Sequence, residues 1–473
     1  DKPYSATLTV PEGETFYHLD PTTGATVPIR RSFVLQPNED IMVISEPVYV
    51  SDRNGSGEKN ATSADPTPPA DAPARTTAVP PATPTAATPA SADPTPPADA
   101  PAPTAQRLHA DDPIRLPETT EELARQFTPQ PFPSRWRLIE TPTNCLTLDY
   151  CRYRINGGTL SDPLPVSVIL DRLLARREAV RLDLYFYIGI DQETVIPPDA
   201  ALLVEDPNLW MVTCNGKRVH PDGGSLFDHA FSTVPVADAL HAGKNEIWMQ
   251  SRIEQRGETY AAIERARAFE SEKNKLTFDR EVEAIYLVGS FGVRTETDAY
   301  APLEHDAVWY GGAFTVTAAP KEVDLDSLHA AGFPFFAGTV RVERTVDVAG
   351  RSRRALLGFD SMWANVVEIA IDGEEIEPIT WHPYIREAPA LAEPGSHRVT
   401  ITLTNSLRNM LGPHHLADGE ALFVGPFSFF AEDGIFARNW SGELNRWDAR
   451  YTFQRFGIER LTLWRERDGE AGA

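Results

Sequence analysis

Apolar and polar residues alternate in short runs along most of this chain, and turn residues close each run. Alternation of period two places apolar side chains on one face of a β-strand. In the first fifty residues Thr7-Leu-Thr-Val10, Thr15-Phe-Tyr-His-Leu19, Ser32-Phe-Val-Leu35 and Ile41-Met-Val-Ile44 read as strands. Pro11-Glu-Gly13 and Asp20-Pro-Thr-Thr-Gly24 read as the turns between them. Beyond residue 134 the pattern returns at 146–150, 181–187, 201–204, 210–214, 246–249 and 284–288. It continues at 339–342, 355–359, 366–371, 398–403 and 460–464. Strands this closely spaced predict a mostly-β fold of sandwiches. Helical spacing is confined. Thr119-x-x-Glu122 ahead of Leu123 and Phe127 is a capping-box pattern, and 168–174 has the period of a short helix. Residues 260–275, polar and rich in Ala and Glu, predict a surface excursion.

One stretch breaks the pattern. The string SADPTPPADAPA stands at 63–74 and again, unchanged, at 91–102. Such Pro/Ala/Thr text has no apolar surface to bury, and proline biases it toward an extended, semi-rigid form. The chain then divides into 1–52, strands completing an upstream domain; 53–112, a disordered Pro/Ala-rich linker; 113–325, a first β-sandwich with helical insertions; and 326–473, a second β-sandwich. Asp1 leads directly into strand text, which points to a domain already in progress and a longer parent chain.

The two sandwich segments echo one another. Met211-Val-Thr-Cys-Asn-Gly-Lys-Arg-Val219 and Ile369-Ala-Ile-Asp-Gly-Glu-Glu-Ile376 each run strand, Asx-Gly, strand, the strongest short hairpin signal. Each is followed by a turn segment with a glycine and a new strand, at 234–247 and 388–399.

Charge and chemistry narrow the function classes. The formal net charge is −24, which repels phosphates and anionic lipid headgroups, so neither nucleic acid nor a membrane is an expected partner. A substrate would be neutral, or met at local basic spots such as Arg351, Arg353 and Arg354. No apolar run is long enough to span a bilayer. Three cysteines, Cys145, Cys151 and Cys214, do not make a disulfide framework and read as small buried apolar residues. No string typical of a zincin, a nucleotide loop or a serine hydrolase occurs, so no metal ligand is assigned. Acidic pairs such as Glu304 with Asp306, or Glu374, Glu375 and Glu377 beside a hairpin, read as solvated surface, and no catalytic residue is assigned.

The candidates for contact with carbohydrate or with a neighbouring domain are few. Ser406-Leu-Arg-Asn-Met-Leu-Gly-Pro-His-His415 gathers Arg408, Asn409, His414 and His415 around Gly412-Pro413, which shapes the backbone. It is expected as a fixed loop facing a partner surface, with folding onto its own sandwich as the alternative. Adjacent His residues on a strand face opposite sides, so metal chelation requires a turn there. Trp363 with Asn365, and Trp440 with Asn439, pair an aromatic face with a hydrogen-bonding neighbour, as sugar binding requires. Burial in a sandwich core is the competing role for each Trp.

The hairpin echo, with Leu240-His-Ala-Gly-Lys-Asn-Glu-Ile247, resembles the jelly-roll, galactose-binding-like modules of large glycoside hydrolases. Asn144-Cys-Leu-Thr-Leu-Asp-Tyr-Cys-Arg-Tyr153, Ala284-Ile-Tyr-Leu-Val-Gly-Ser-Phe291 and 406–415 together look like the C-terminal half of bacterial glycosidases of the α-L-rhamnosidase-like kind. The resemblance covers roughly 134–465. It implies tandem jelly-roll sandwiches that support an upstream (β/α) barrel bearing two acidic catalytic residues. It also implies carbohydrate as partner, a secreted or periplasmic location, and no cofactor beyond a structural calcium. Nothing here reads as eight strand–helix units, so the catalytic carboxylates have no counterpart in this chain. A freestanding carbohydrate-binding or adhesin-like module is the alternative reading.

Overall fold

The computed structural model describes residues 120–420 apart from 274 and 298, residue 424, residues 447–467, and five short strands before residue 45. The expected linker, Asn439 and Trp440 lie outside the described residues. Residues 1–115 form one unit and 116–473 another. In the first, Tyr4–Thr7 pairs antiparallel with Ser32–Leu35, and Tyr17–Leu19 lies between Thr26–Pro28 and Met42–Ile44. The first strand thus starts earlier than its alternation at 7–10 predicts.

In the larger unit both echoed hairpins form. Asn215 and Gly216 have φ of 51° and 77°, and Asp372 and Gly373 have φ of 55° and 94°. Two successive left-handed residues give the tight turn whose twist matches paired strands, which is why Asx-Gly occupies both. Each turn is locked from a distance. The Asn215 Oδ1 accepts the Glu246 N–H at 2.9 Å, and the Asp372 Oδ1 accepts the Arg398 N–H at 2.8 Å. Each lock joins the hairpin to an eleven-residue strand, Gly243–Ile253 or Gly395–Asn405.

Around these hairpins two sandwiches share one strand order. In the first, one sheet runs Tyr150–Ile155, Val180–Ile190, Gly243–Ile253, Met211–Cys214, Lys217–Val219. Its facing sheet runs Asp228–Pro235, Ala201–Glu205, Ile285–Gly289, Asn144–Leu148. In the second, the corresponding orders are Arg135–Leu138, Gly338–Val348, Gly395–Asn405, Val366–Ile371, Glu374–Glu375, and Ile385–Glu387, Ala355–Gly358, Thr462–Glu466, Phe127–Pro131. The first sandwich is therefore nested inside the second: strands at 127–138 precede it and pair with strands at 322–348 and 462–466. Strands from both sides of residue 325 share sheets. The mostly-β sandwich architecture read from the alternation is the one observed.

Each sandwich has its own apolar core. Leu182, Leu184, Phe186 and Ile188 meet Leu202, Leu203, Leu287 and Val288 in the first. Val340, Val342, Ile401 and Leu403 meet Leu357, Leu463 and Trp136 in the second. Helix Val166–Arg176 covers the first, burying Val168, Ile169 and Leu173. The expected surface excursion includes most of helix Gly257–Ala268, largely exposed, which buries Ile263 and Ala266 in a small cluster with Tyr260 and Phe278. Tyr260, Ile263 and Ala266 recur every three residues and so share one face of the helix. All three cysteines are buried and free, and burial pushes the Cys214 thiol up to about 11. Among the described residues no helix is long and apolar enough to cross a membrane.

Candidate functional site

The three sequence strings singled out above converge in space. Asn144, fully buried, donates through Nδ2 to Phe291 O at 3.0 Å and to Gly332 O at 2.8 Å, and its Oδ1 accepts the Cys145 N–H. The strand Asn144–Leu148 is paired with Ile285–Gly289. Thr147 Oγ1 donates to Met410 O at 2.6 Å, tying the 406–415 segment to the same strand. That segment turns once as a helix, Arg408–Leu411, and then leads through Gly412 to His414 and His415. Gly412 has φ of 88°, and a Cβ there would lie 3.0 Å from the His414 nitrogen, so a glycine is required.

His415 meets Asp149 at the centre. Its Nε2 is 3.4 Å from Asp149 Oδ2, both side chains being largely buried. The other Asp149 oxygen accepts the Tyr451 hydroxyl at 3.0 Å. On the far side of the ring, Nδ1 lies 2.9 Å from Asp448 O and 3.0 Å from Arg450 O, two acceptors that place a proton on that nitrogen. Burial opposes charge on His415, but the carboxylate and the two carbonyls outweigh it, and its pKa stands above the ordinary value. Burial likewise opposes ionisation of Asp149, and His415, with His414 and Tyr451, outweighs it, so the carboxyl stays below its usual range. Burial and Asp149 together push the Tyr451 phenol well up, so it remains a donor.

The neighbouring candidates are also engaged internally. Asn409 is fully buried and bonds the Gln454 backbone in both directions, at 2.9 and 2.8 Å. His414 is buried beside Phe335 and Phe453, and burial drops its pKa to about 4, leaving a neutral ring. Arg408 grips Glu420 through Nε at 3.2 Å and Nη2 at 2.5 Å, and also donates to Pro413 O. The segment is folded onto the chain's own sheets, and Asn409 and His414 present no surface. These bonds fasten the 406–420 segment to the strand Asn144–Leu148 and to residues 448–454. Asp149, Tyr451 and Glu420 were not singled out from the sequence, because isolated acids and tyrosines carry no local signal; only their distant partners define them. Among the described residues no group of three or more His, Cys, Asp or Glu is placed to hold a metal.

Trp363 and Asn365 lie elsewhere, at the rim of the second sandwich. Trp363 sits in the short strand Ser361–Trp363 with the Arg455 guanidinium 4.7 Å over its ring. Asn365 is exposed, held by its backbone N–H to Thr404 O at 2.8 Å.

The fold is a pair of antiparallel β-sandwiches of one strand order. No family model matches the chain, and no curated protein matches it. Among solved structures it is similar to a rhamnosidase from Novosphingobium sp. PP1Y, at 12% identity and a TM-score of 0.21 over 72% of this chain and 25% of that one. It is also similar to a β-D-mannosidase from Dictyoglomus thermophilum, at 10% identity and a TM-score of 0.21 over 56% of this chain and 31% of that one. A β-D-glucuronidase from the same organism aligns at 10% identity and a TM-score of 0.23, over 56% and 39%. The chain spans well under half the length of each. At these identities and TM-scores no residue role passes from them to this chain.

Proposed function

We propose that this chain is the accessory β-sandwich region of a glycoside hydrolase of the α-L-rhamnosidase-like kind, secreted or periplasmic, which supports a catalytic barrel lying outside it and contacts carbohydrate. The observation that carries the reading is the convergence of the strings 144–153, 284–291 and 406–415, on which the sequence resemblance rests, at one buried junction. They form a scaffold rather than an open acid–base pair: Asp149 and His415 are spent on each other and on Tyr451. A glycosidase instead needs two carboxylates flanking a bond that substrate can reach.

The test is a comparison of the chain alone with a longer parent protein that carries both the chain and the proposed barrel. The chain alone should leave aryl α-L-rhamnosides intact, and the barrel should be soluble and active only in its presence. Turnover by the chain alone that vanished on changing one of its carboxylates would overturn the reading.

A further inference from the structure

The loop between residues 378 and 385 exposes the side chains of Trp381 and His382. Trp381 is 37% exposed, the one tryptophan among the described residues with so open a surface, and His382 beside it is exposed as well. From His382 a ladder of rings leads into the core. His382 stacks on Tyr384 with centroids 3.8 Å apart and planes 28° apart, and Tyr384 stacks on the buried Phe359 at 5.3 Å and 20°.

This loop is held rigid by an internal cation. The guanidinium of Arg386, a residue only 8% exposed, donates to Pro383 O at 2.9 Å, Ile385 O at 2.9 Å and Pro378 O at 3.0 Å. The loop is thus wrapped around one side chain. Its start is pinned by reciprocal backbone bonds between Ile379 and Val367, at 2.8 and 2.9 Å. Burying an arginine is costly unless its donors are matched, and here most are matched by the loop's own carbonyls. A ring presented on so fixed a backbone binds without first losing conformational freedom.

Polar groups adjoin the ladder. Asp306, after burial, raises the pKa of the Tyr384 phenol, and the Asp306 carbonyl accepts the Arg455 N–H at 2.9 Å. Arg455 in turn lies over Trp363. An exposed indole next in sequence to an exposed imidazole, on a fixed loop, offers a pyranose an aromatic face and a hydrogen-bonding nitrogen. The C–H face of the sugar stacks on aromatic carbon, and its hydroxyls bond both ways. Asp306 and the net charge of −24 favour a neutral sugar over an anionic one.

We propose that the 378–385 loop, through Trp381 and His382, is a binding site for neutral pyranose units of a polysaccharide. This deepens the reading above by locating the carbohydrate contact, and it moves that contact from Trp363 to the loop. The experiment is affinity electrophoresis of the chain in galactomannan, xyloglucan, arabinogalactan and polygalacturonate gels, with tryptophan fluorescence titration by the same polymers. At least one neutral polymer should retard the chain. Trp381→Ala and His382→Ala should each weaken that binding about tenfold or more. Phe269→Ala, at another exposed aromatic, should not. Arg386→Met should weaken binding with the two rings intact. Thermal melts of all four variants separate binding loss from unfolding.

Retardation unchanged in Trp381→Ala and His382→Ala overturns the loop site and leaves the accessory reading standing. Retardation by polygalacturonate alone overturns the neutral-sugar assignment. Retardation by none of the polymers overturns the site, while the barrel comparison decides the accessory reading independently. A Trp381→Ala variant that loses barrel support instead of polymer binding shows a protein interface and overturns the proposal.

Discussion

His415 Nε2 lies 3.4 Å from Asp149 Oδ2, joining a strand end of the first sandwich to a segment that follows the long strands of the second. Both groups are largely buried, and each shifts the other toward its charged form. The pair is a fastening whose strength depends on both partners being present.

Removing one charge should therefore cost more than removing both. Asp149→Asn removes the counter-charge of a buried histidine and, at a pH where His415 is protonated, is expected to cost about 3 kcal/mol of stability. It should also lower the His415 pKa toward or below its ordinary value, read from the ring proton shifts in an NMR titration. Combining Asp149→Leu with His415→Leu should cost less than the sum of the two single changes, and strict additivity in urea melts would contradict the coupling.

Stability should fall on the acid side of neutrality because of two other histidines. Burial lowers the pKa of His329 to about 4, and that of His414 to about 4. Unfolded, each titrates near about 6.5, so the unfolded chain binds more protons between those values. Their contribution is full above about 6.5 and is lost as pH falls toward 4. The Asp149–His415 pair behaves differently. Asp149, depressed, contributes above the unfolded carboxyl pKa of about 3.9, and His415, raised, contributes below about 6.5 and loses its share as pH rises further. Urea midpoints should drop from pH 7 to pH 4.5. His329→Gln, which keeps an acceptor for the Phe456 N–H, should flatten that slope. An unchanged slope would show that His329 is not the group being protonated.

Arg408 and Glu420 form a two-pronged pair with side chains only 13% and 3% exposed. Arg408→Ala strands the Glu420 carboxylate and should cost about 3 kcal/mol. Arg408→Lys keeps the charge but not the fork, and should recover only part of the loss. Equal melting temperatures for the Lys variant and the parent would refute a role for the fork geometry.

The paired turns should respond alike to one change. A Cβ on Gly216 or Gly373 meets nothing within 4 Å, so only the positive φ opposes it. Gly216→Ala and Gly373→Ala should each cost about 1 kcal/mol, by backbone strain alone. Asn215→Ala and Asp372→Ala remove the acceptors for the Glu246 and Arg398 N–H groups and should cost a similar amount. A tolerated alanine at either glycine would argue against the shared turn geometry.

What the sequence determined by itself was local. Alternation marked the strands at 181–187, 246–249, 339–342 and 398–403, and Asn215-Gly216 and Asp372-Gly373 announced their own turns. Each of these signals rests on neighbours within a few residues, where backbone sterics and side-chain period act directly. Tertiary structure alone decided that 127–138 belongs with strands at 322–348 and 462–466, because an edge strand reads the same whichever sheet accepts it. It alone placed Asp149 beside His415 and wrapped the 378–385 loop around Arg386. A buried charge is stabilised only by the partner that meets it in space, and the chain carries too many acids and arginines for one-dimensional spacing to say which will meet.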